Sequence, residues 1–454
     1  MSTEPSRLLE RFGLHRPELR AWAAYDWANS AMVTTIVTAI FPIYFHAVAA
    51  AGWESKQALQ AYSLTTTLAL GTVAIAAPLL GPVADFRGWR KRLLSVFLTM
   101  GILSTGGMFF VGHGDASFAL ALFFLANVGA AGSFVFYDAL LPHLASSKEV
   151  DRVSTSAYAL GYLGGGILLL VNLLWIQHPE WFGLPHGEGL TPAQETLPTR
   201  LAFLSVAVWW GVFSIPLLYN VPEPPAIRKA DETPGVSTFK VAVGRLRGTL
   251  KELRASQDAF WMMLAFLLYN DGIQTIIRMA TYLGTLKEFE EGTLITSILL
   301  VQFVGIPFAL LFGKLADWIG VRRAIYIGVF SYIGITLAAI FMNTALHFFG
   351  LAIGVGMVMG GTQALSRSLF ATLIPRHKSS EFFALFGVLE KFAGILGPAL
   401  FTVVVGLLPK GKESLAAFGI LPFFLVGAFV LSRVNIERGR ARAREQELEV
   451  GAIG

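Results

Sequence analysis

The chain has 454 residues, of which 54% are hydrophobic and only 14% are charged, against about 25% charged residues in an ordinary soluble domain. So few charged residues cannot cover a water-exposed surface. The composition therefore excludes a soluble multidomain protein and predicts an integral membrane protein. The chain contains no cysteine, which excludes disulfides, thiolate metal sites and thiol catalysis.

The first 20 residues alternate in charge and lack an apolar core of signal-peptide length, so residues 1–20 are expected to remain as a cytoplasmic segment. Beyond them, twelve apolar segments are long enough to cross a hydrocarbon layer about 30 Å thick. They lie near 21–49, 60–84, 93–112, 117–142, 155–177, 199–220, 258–284, 293–316, 324–342, 346–374, 382–408 and 414–434. Because these runs are continuous and do not alternate with polar residues, they predict helices and not barrel strands.

Six segments precede a polar stretch at 221–257 and six follow it. We therefore predict an all-α membrane protein of twelve transmembrane helices, with one six-helix bundle over 21–220 and a second over 258–435. The polar stretch opens with Val221-Pro222-Glu223-Pro224-Pro225, which cannot continue a helix. Its remainder places basic residues between apolar ones at helical spacing. That pattern predicts an amphipathic helix on the membrane surface, serving as a tether or as a regulatory site. The tail, 436–454, is charged, and we expect it to be frayed.

A short basic turn occurs once in each half of the chain. The stretch Gly81-Pro82-Val83-Ala84-Asp85-Phe86-Arg87-Gly88-Trp89-Arg90-Lys91-Arg92 returns as Gly313-Lys314-Leu315-Ala316-Asp317-Trp318-Ile319-Gly320-Val321-Arg322-Arg323. Gly, Asp, Gly and the basic pair have identical spacing in both copies. The repeat indicates that one unit was doubled, so we expect the two bundles to be pseudo-symmetric.

The distribution of Lys and Arg predicts the orientation in the membrane. With a cytoplasmic N-terminus, the basic turns, the linker and the tail lie on the cytoplasmic side. The loops of the other side then hold only Lys56, Lys287, Lys410 and Lys412. Both termini are therefore expected in the cytoplasm, and topology explains the net charge of +5 without nucleic acid as a partner. The expected partners of this monomeric protein are the lipid bilayer, a small-molecule substrate and a proton or cation as co-substrate.

The twelve spans, the polar centre and the paired Gly-x-x-x-Asp-x-x-Gly-x-Arg-Lys/Arg turn together resemble the major facilitator superfamily over essentially the whole chain. Five further stretches resemble its vacuole-effluxer-like branch, known in fungi from autophagy-related export of amino acids from the vacuole, with many bacterial members. They are Ala24-Tyr25-Asp26-Trp27-Ala28-Asn29-Ser30-Ala31, Phe41-Pro42-Ile43-Tyr44-Phe45, Tyr137-Asp138-Ala139-Leu140-Leu141-Pro142, Ser154-Thr155-Ser156-Ala157-Tyr158-Ala159-Leu160-Gly161-Tyr162-Leu163-Gly164-Gly165-Gly166 and Tyr269-Asn270-Asp271-Gly272. The resemblance implies a transporter and not an enzyme, working by alternating access in the bacterial cytoplasmic (inner) membrane.

In the superfamily, the paired turn ties the two bundles together on the cytoplasmic face in one state of the transport cycle. Carried over to this chain, Asp85 would contact the start of span 11, at Ser379, Ser380 and Glu381. Asp138 in span 4 would be a partner for Arg90. The alternative is that the basic cluster only sets the topology. The gate residues expected from the resemblance are Gly81, Asp85, Gly88, Arg90, Lys91, Asp138, Gly313, Asp317, Gly320 and Arg322.

Ionisable residues inside the spans are the main candidates for a substrate or coupling site, because each is costly in lipid unless it is paired or hydrated. In span 7, Asp271, Gln274 and Arg278 share one helix face. Asp271 lies near the middle of the membrane, at a rise of about 1.5 Å per residue. Its carboxylate is a candidate to carry a proton; alternatively, it is a static partner for an Arg or Lys on a neighbouring span.

Arg367 in span 10 would suit an anionic substrate group such as a carboxylate, or it forms an ion pair with Glu390 or Asp138. Asp26, near the inner end of span 1, is a candidate either for the site or for an interfacial hydrogen bond. Asn127, Tyr158 and Tyr162 are expected to pack or hydrogen-bond between helices more often than they bind a ligand. The remaining candidates are Asn29, Asn270, Gln363 and Glu390.

The run Gly406–Glu413 resembles a phosphate-binding loop, but Glu413 stands where a hydroxyl would hold magnesium. We therefore reject ATP binding and expect no metal and no cofactor. The predicted function is secondary active transport of a small solute; the resemblance favours export of an amino acid or similar zwitterion, with proton coupling as a further expectation. Efflux of drugs or other hydrophobic compounds is the alternative, although span 4 lacks the arginine that proton-coupled drug exporters usually carry. A non-transporting receptor or scaffold is the second alternative. It would predict large loops, which the chain lacks outside 178–198 and 221–257.

Overall fold

The computed structural model describes residues 7–226, 256–286, 289–392 and 413–449, together with the isolated positions 244, 248, 397, 400, 403 and 404. Within these residues the secondary structure consists of helices and turns. The long helices and the tail helix are numbered here in chain order. They are α1 (Pro17–Ala49), α2 (Ser55–Arg87), α3 (Arg90–Gly107), α4 (Ala116–Leu144), α5 (Val150–Gln177), α6 (Leu197–Asn220), α7 (Gln257–Leu286), α8 (Glu291–Ile319), α9 (Val321–Ala339), α10 (Ala345–Thr372), α11 (Ser379–Phe392), α12 (Leu421–Ser432) and α13 (Ile436–Glu449).

The predicted all-helical membrane fold is confirmed. In the described part of the chain, 10 helices are long and apolar enough to cross a membrane. The helices α12 and α13 are bent by 64° to each other, and the count rises to 11 if this pair is one span. The predicted segments 382–408 and 414–434 are described only in part, so the number twelve is not confirmed. Most of the predicted linker helix falls on 227–255 and lies outside the described residues.

The helices form two bundles that meet along a defined set of contacts. In the first half, α1 packs on α5 and α6, and α4 packs on α2 and α3; in the second half, α7 packs on α12 and α8 packs on α10. Between the halves, α2 contacts α11, α4 contacts α10 and α11, and α5 contacts α8 and α10. Glycines allow the closest of these approaches: a Cβ at Gly360 of α10 would overlap the ring of Tyr162 of α5, and one at Gly305 of α8 would lie 2.9 Å from the same ring. Tyr162 is therefore a packing residue between the bundles.

The two halves repeat a local contact as well as a motif. In the first, the hydroxyl of Tyr25 in α1 donates to Oγ of Ser133 in α4, at 2.6 Å. In the second, the hydroxyl of Tyr269 in α7 shares a hydrogen bond with Oγ of Ser366 in α10. The first and fourth helices of each bundle are thus joined by the same residue pair, which supports the doubling inferred from the basic turns.

The first span is not a uniform α-helix. It is α-helical over Pro17–Ala31, then π-helical over Met32–Ile40 and again over Phe45–Ala49. Pro42 lies between the two wide stretches and lacks the N–H that a regular helix would use. The π-helical turns are frequent at functional sites; here they include Thr34, whose Oγ1 accepts from Nε2 of Gln302 in α8 at 3.4 Å.

We call one end of the bundles the basic face: it holds the junctions α2–α3, α4–α5, α8–α9 and α10–α11, with Arg87, Arg90–Arg92, Arg322 and Arg323. The expectation of a frayed tail is wrong for 436–449, because α13 is a helix that docks on this face. Asp258 of α7 accepts from Nε and Nη2 of Arg438 at 2.7 and 2.8 Å and from the backbone N–H of Asn435 at 2.8 Å. Gly439, Ala443 and Glu447, spaced four apart, form the buried stripe of α13. The highly charged composition of the tail concealed this narrow stripe.

Candidate functional site

A buried cluster joins Arg367 of α10 to three helices of the first bundle. Its Nη2 lies 3.2 Å from Oδ2 of Asp26 in α1, and its Nη1 lies 3.2 Å from Oδ1 of Asp138 in α4. In α5, Oγ of Ser154 accepts from Nε at 2.9 Å, and the carbonyl oxygen of Ser154 accepts from Nη2 at 3.2 Å. Nη1 also donates to Oδ2 of Asp26 at 3.3 Å. A guanidinium has five N–H groups, and all of them are thus bonded to the opposite bundle.

Three aromatic side chains line this cluster. The guanidinium carbon of Arg367 lies 4.6 Å from the ring centre of Tyr158, 4.9 Å from that of Trp22 and 5.7 Å from that of Tyr137. The hydroxyl of Tyr137 donates to Oδ2 of Asp26 at 3.0 Å. Since Arg367 is only 3% exposed, its attraction to the carboxylates and the rings is little screened by water.

Among the described residues that bond to Arg367, two carboxylates face one guanidinium. A buried excess charge is costly, and one proton bound by either carboxyl group would make the cluster neutral. The cluster is also displaced from the middle of the spans. Arg367 is five residues from the end of α10, or about 8 Å from the basic face at 1.5 Å per residue. This position suits a gate at that face.

Of the alternatives foreseen for Arg367, the structure shows the ion pair with Asp138 and adds Asp26 to it. The expected pairing of Asp138 with Arg90 is wrong. Arg90 begins α3 directly after the turn from α2, so its side chain folds back over α2, where its Nη2 lies 2.6 Å from Oδ1 of Asp85. Asp138 is instead on the face of α4 that meets α1 and α10.

The first basic turn makes the contact that was expected between the bundles. Asp85, at the end of α2, accepts from the backbone N–H groups of Ser380 at 3.2 Å and Glu381 at 3.0 Å, in the first turn of α11. A carboxylate at a helix N-terminus satisfies free N–H groups and interacts favourably with the helix dipole. A Cβ at Gly81 would lie 2.6 Å from the carbonyl oxygen of Ser380, so this close approach of α2 to α11 requires a glycine.

Glu223, just after α6, is a functional contact that the sequence did not reveal. Its carboxylate accepts from the backbone N–H of Arg90 at 2.9 Å and of Lys91 at 2.8 Å, and so caps the N-terminus of α3. Nζ of Lys91 donates to the carbonyl oxygen of Val221. Burial raises the pKa of Glu223, although the two N–H groups and the nearby Arg90 and Lys91 act in the opposite sense. The proline-rich stretch indicated only a helix end, because nothing in a sequence pairs a carboxylate with amides so far away along the chain.

The second basic turn is arranged differently from the first. Oδ2 of Asp317 lies 2.7 Å from Nε of Arg152 in α5, where the side chains are 34% and 40% exposed. Asp85 and Arg90, in contrast, are 0% exposed. A Cβ at Gly313 would overlap Oγ1 of Thr155, and Nη1 of Arg322 donates to the carbonyl oxygen of Val434 at 2.8 Å. The repeated motif therefore gives one buried contact and one surface contact.

Asp271 is a buried residue in the middle of α7. It is 1% exposed, and its Oδ2 accepts from the backbone N–H of Gly397 at 2.8 Å. The neighbouring Asn270 accepts at Oδ1 from Nε2 of Gln363 in α10, at 3.3 Å. Gln274 is partly buried on the same helix. The side chain of Arg278 lies outside the described residues, so its predicted place beside Asp271 stays a prediction.

The other candidates of the first bundle divide into packing residues and polar residues. Asn127 donates to the carbonyl oxygen of Phe123 in its own helix, at 2.8 Å, and Tyr162 packs between helices. Asn29 donates from Nδ2 to the hydroxyl of Tyr25 at 3.3 Å. Within the described residues, Oδ1 of Asn29 and Nδ2 of Asn270 are buried and have no hydrogen-bond partner. One acceptor on α1 and one donor on α7 are thus buried without a partner in this part of the chain. Glu390 is partly buried near the end of α11.

A known protein family and several individual proteins are similar in sequence to most of the chain. A family model described as vacuole effluxer Atg22 like matches residues 55–444. The chain is 33% identical over 428 residues to a Bacillus subtilis (strain 168) protein named uncharacterized MFS-type transporter YxiO, covering 94% of this chain and 96% of that protein. It is 29% identical over 327 residues to autophagy-related protein 22 of Yarrowia lipolytica, covering 65% of this chain and 52% of the fungal protein. The chain thus matches about half the length of this fungal relative.

Solved structures share the fold at low sequence identity. A bacterial homologue of the iron transporter ferroportin, in an outward-facing state, superposes with a TM-score of 0.64 at 15% identity, over 92% of this chain and 99% of that one. The proton:xylose symporter XylE superposes with a TM-score of 0.63 at 14% identity, over 95% and 97% of the two chains. These similarities establish the major facilitator fold.

Proposed function

The chain belongs to the vacuole effluxer Atg22-like family of the major facilitator superfamily, and we propose that it exports a small zwitterion, an amino acid or close analogue, by proton-linked alternating access. The basic face would point to the cytoplasm of a bacterial cell, as the distribution of Lys and Arg predicts. Export would then move the solute from this face to the opposite one.

The observation that carries this proposal is the contact of Arg367 with three helices of the other bundle. Alternating access needs two bundles that rock about a central site, and therefore needs contacts that hold one end closed and can be released. All five N–H groups of Arg367 are bonded across the junction, close to the basic face. The first basic turn adds a second contact through Asp85. The structure is accordingly assigned to the state in which the basic face is closed.

The choice of a zwitterion is supported by the two unpartnered amide atoms. Oδ1 of Asn29 on α1 and Nδ2 of Asn270 on α7 are buried, and each lacks a hydrogen bond within the described part of the chain. A buried polar group is costly when left unpaired. An amino acid carries an ammonium donor and a carboxylate acceptor, which are the two kinds of group that these atoms would bind.

Proton coupling is assigned to Asp271, the most deeply placed acidic residue among the candidates. Asp271 is 1% exposed, and its carboxylate accepts from the backbone N–H of Gly397. A carboxyl group in such a place can alternate between a protonated and an ionised form, provided that water reaches it in one state of the cycle. Asp26 and Asp138 hold the gate closed and are not assigned to the substrate.

The test uses purified protein in liposomes with a pH indicator inside and a panel of amino acids outside. We expect a subset of the panel to drive proton movement, and Asp271→Asn to abolish it while retaining binding of the amino acid. Glu437→Gln, an exposed carboxylate of α13, is the matched control and should behave as the parent. Absence of any substrate-dependent proton movement would exclude the coupling. Stabilisation by lipophilic cations alone in a thermal-shift screen would favour drug efflux instead.

A further inference from the structure

A polar cavity of about 90 Å³ lies on the basic face where the tail helix meets both bundles. One wall is the α4–α5 junction of the first bundle, with Ser147 and Val150. The second is the α10–α11 junction, with Thr372 and Arg376, and the third is α13, with Arg440 and Arg444. None of the contacts assigned to transport uses this space.

The arginines that line the cavity retain free donors. Arg440 donates from Nε to Oγ1 of Thr372 at 3.2 Å, which fixes its guanidinium over the cavity and leaves its four remaining N–H groups available. Arg444 makes no hydrogen bond or ion pair within the described residues. The side chain of Arg376 is 54% exposed, and within the described residues it makes a single ion pair, 4.0 Å from Nε to Oε1 of Glu447. These groups converge on one small space.

The charge of the cavity is positive after its acidic neighbours are counted. Glu447 accepts from the backbone N–H of Arg376 at 2.7 Å, and Asp151, at the start of α5, accepts from the hydroxyl of Ser368. Three guanidinium groups therefore face two carboxylates that are already bonded to other donors. Arginine forks bind phosphate and carboxylate oxygens through paired hydrogen bonds.

We propose that this cavity binds a phosphate group, and that the bound anion holds the basic face closed. A phosphate would be gripped by Arg376, Arg440 and Arg444 and would reach the hydroxyl of Ser147 on the other bundle. The three walls come together only when the first bundle lies against the second on this face. A ligand that binds one conformation better than another shifts the population towards it, so the anion would slow the cycle from the cytoplasmic side. The effect on transport rests on the proposed function; the binding does not.

The phosphate has two sources, a free anion in the cytoplasm or the headgroup of a phospholipid, and the test separates them. The full chain is placed in nanodiscs of phosphatidylcholine, and its thermal stability is measured against inorganic phosphate, with chloride at the same ionic strength as reference. A parallel set uses discs containing phosphatidic acid without free phosphate. We expect saturable stabilisation in at least one set, and the set that shows it identifies the source.

Two arginine variants of α13 test whether phosphate binds in this cavity and not elsewhere on the basic face. Arg444→Gln removes a guanidinium without a structural contact, and we expect it to raise the apparent dissociation constant about 10-fold or more. Arg442→Gln, an exposed arginine of the same helix outside the cavity, should change it less than about two-fold. Equal losses for the two variants, or stabilisation no greater than that by chloride in both sets, would overturn the site.

The closing effect is measured separately from the binding. Because the natural chain has no cysteine, Lys148→Cys on the α4–α5 junction and Glu445→Cys on α13 can carry a unique pair of spin labels. We expect phosphate to shift the distances between the two labels to shorter values and to narrow their distribution. We also expect it to slow solute exchange in liposomes. Binding that leaves both the distances and the exchange rate unchanged would refute the closing role, while the transport assay without phosphate still tests the proposed function.

Discussion

Arg367 of α10 and Asp26 of α1 lie 3.2 Å apart, Nη2 to Oδ2, across the junction of the two bundles. Both side chains are buried, and Tyr137 donates to the same carboxylate oxygen from a third helix. The bonds of Arg367 to Asp26 must break when the basic face opens, whereas Tyr137 and Asp26 both belong to the first bundle. The strength of the contact therefore sets how often the face is open, and each substitution in the cluster should be read as a shift of that equilibrium.

Arg367→Gln is expected to open the basic face. It leaves two carboxylates close together without a counter-charge, and breaking a buried ion pair on one side costs about 3–5 kcal/mol. Spin labels at Arg87→Cys and Trp318→Cys, on exposed positions of opposite bundles, should report a longer distance in the variant. Arg323→Gln, an exposed arginine of the same face, is the control and should leave the distance unchanged. An unaltered distance in Arg367→Gln would remove this residue from the gate.

Asp26→Asn and Asp138→Asn should differ although both remove one negative charge. Asp26 accepts from two N–H groups of Arg367 and from Tyr137, whereas Asp138 accepts from a single N–H group of Arg367. Either substitution leaves one carboxylate for one guanidinium, so the two variants differ only in the hydrogen bonds that they lose. With about 1.5–3 kcal/mol per hydrogen bond to a charged group, Asp26→Asn should open the face and Asp138→Asn should leave it closed. The same spin-label distance is the measurement, and the opposite order would contradict the assignment.

The sequence predicted the helices and the doubled architecture well, because apolar length and a repeated motif are local signals. It also predicted that Asp85 meets α11, by resemblance. It offered Asp138 as a partner both for Arg90 and for Arg367 but could not choose between them, since the choice depends on which helix face is presented. Glu223 and α13 were missed for a related reason. Their partners, the amides of α3 and the carboxylate of Asp258, are distant in the chain, and only tertiary packing brings them together.

Asp85→Asn should be far more damaging than Asp317→Asn, although the two residues hold the same place in the repeated motif. Asp85 is fully buried beside Arg90, so loss of its charge leaves a buried guanidinium without its counter-ion, at a cost of about 3–5 kcal/mol. Asp317 pairs with Arg152 at the surface, where such pairs contribute about 0–1 kcal/mol. Melting temperature in detergent and transport rate in liposomes are the measurements. Similar losses in the two variants would show that burial does not distinguish the copies.

Glu223→Ala should destabilise the protein by about 0.5–2 kcal/mol, the usual range for loss of a helix cap. Its carboxylate satisfies two N–H groups at the start of α3, next to the first basic turn. Glu437→Ala, an exposed acidic residue of α13, is the control. A melting temperature that falls equally in both variants would argue against the cap.

The pH dependence of stability gives a separate test of Glu223. Burial raises its pKa above the usual carboxyl value, so the folded protein holds this proton more tightly than the unfolded chain does. The stability from this group is then fully present below the unfolded pKa and is lost as pH rises through the raised folded pKa. Glu223→Gln cannot titrate, so its melting temperature should fall less than that of the parent as pH is raised through this window. A steeper fall in the variant would show that the two N–H groups outweigh burial.

Gly81→Ala and Gly313→Ala provide the sharpest comparison of the two basic turns. Each substitution adds a methyl group inside a helix and gains the same intrinsic helix propensity, about 1 kcal/mol, so their difference isolates the surroundings. At Gly81 the methyl group would lie 2.6 Å from the backbone carbonyl oxygen of Ser380, which cannot move without shifting the first turn of α11. At Gly313 it would meet Oγ1 of Thr155, and a threonine hydroxyl in a helix has a second rotamer. Overpacking of about 1–3 kcal/mol should therefore appear only in Gly81→Ala, as a longer distance between labels at Arg87→Cys and Trp318→Cys. An equal opening in Gly313→Ala would mean that the second turn also holds the bundles together.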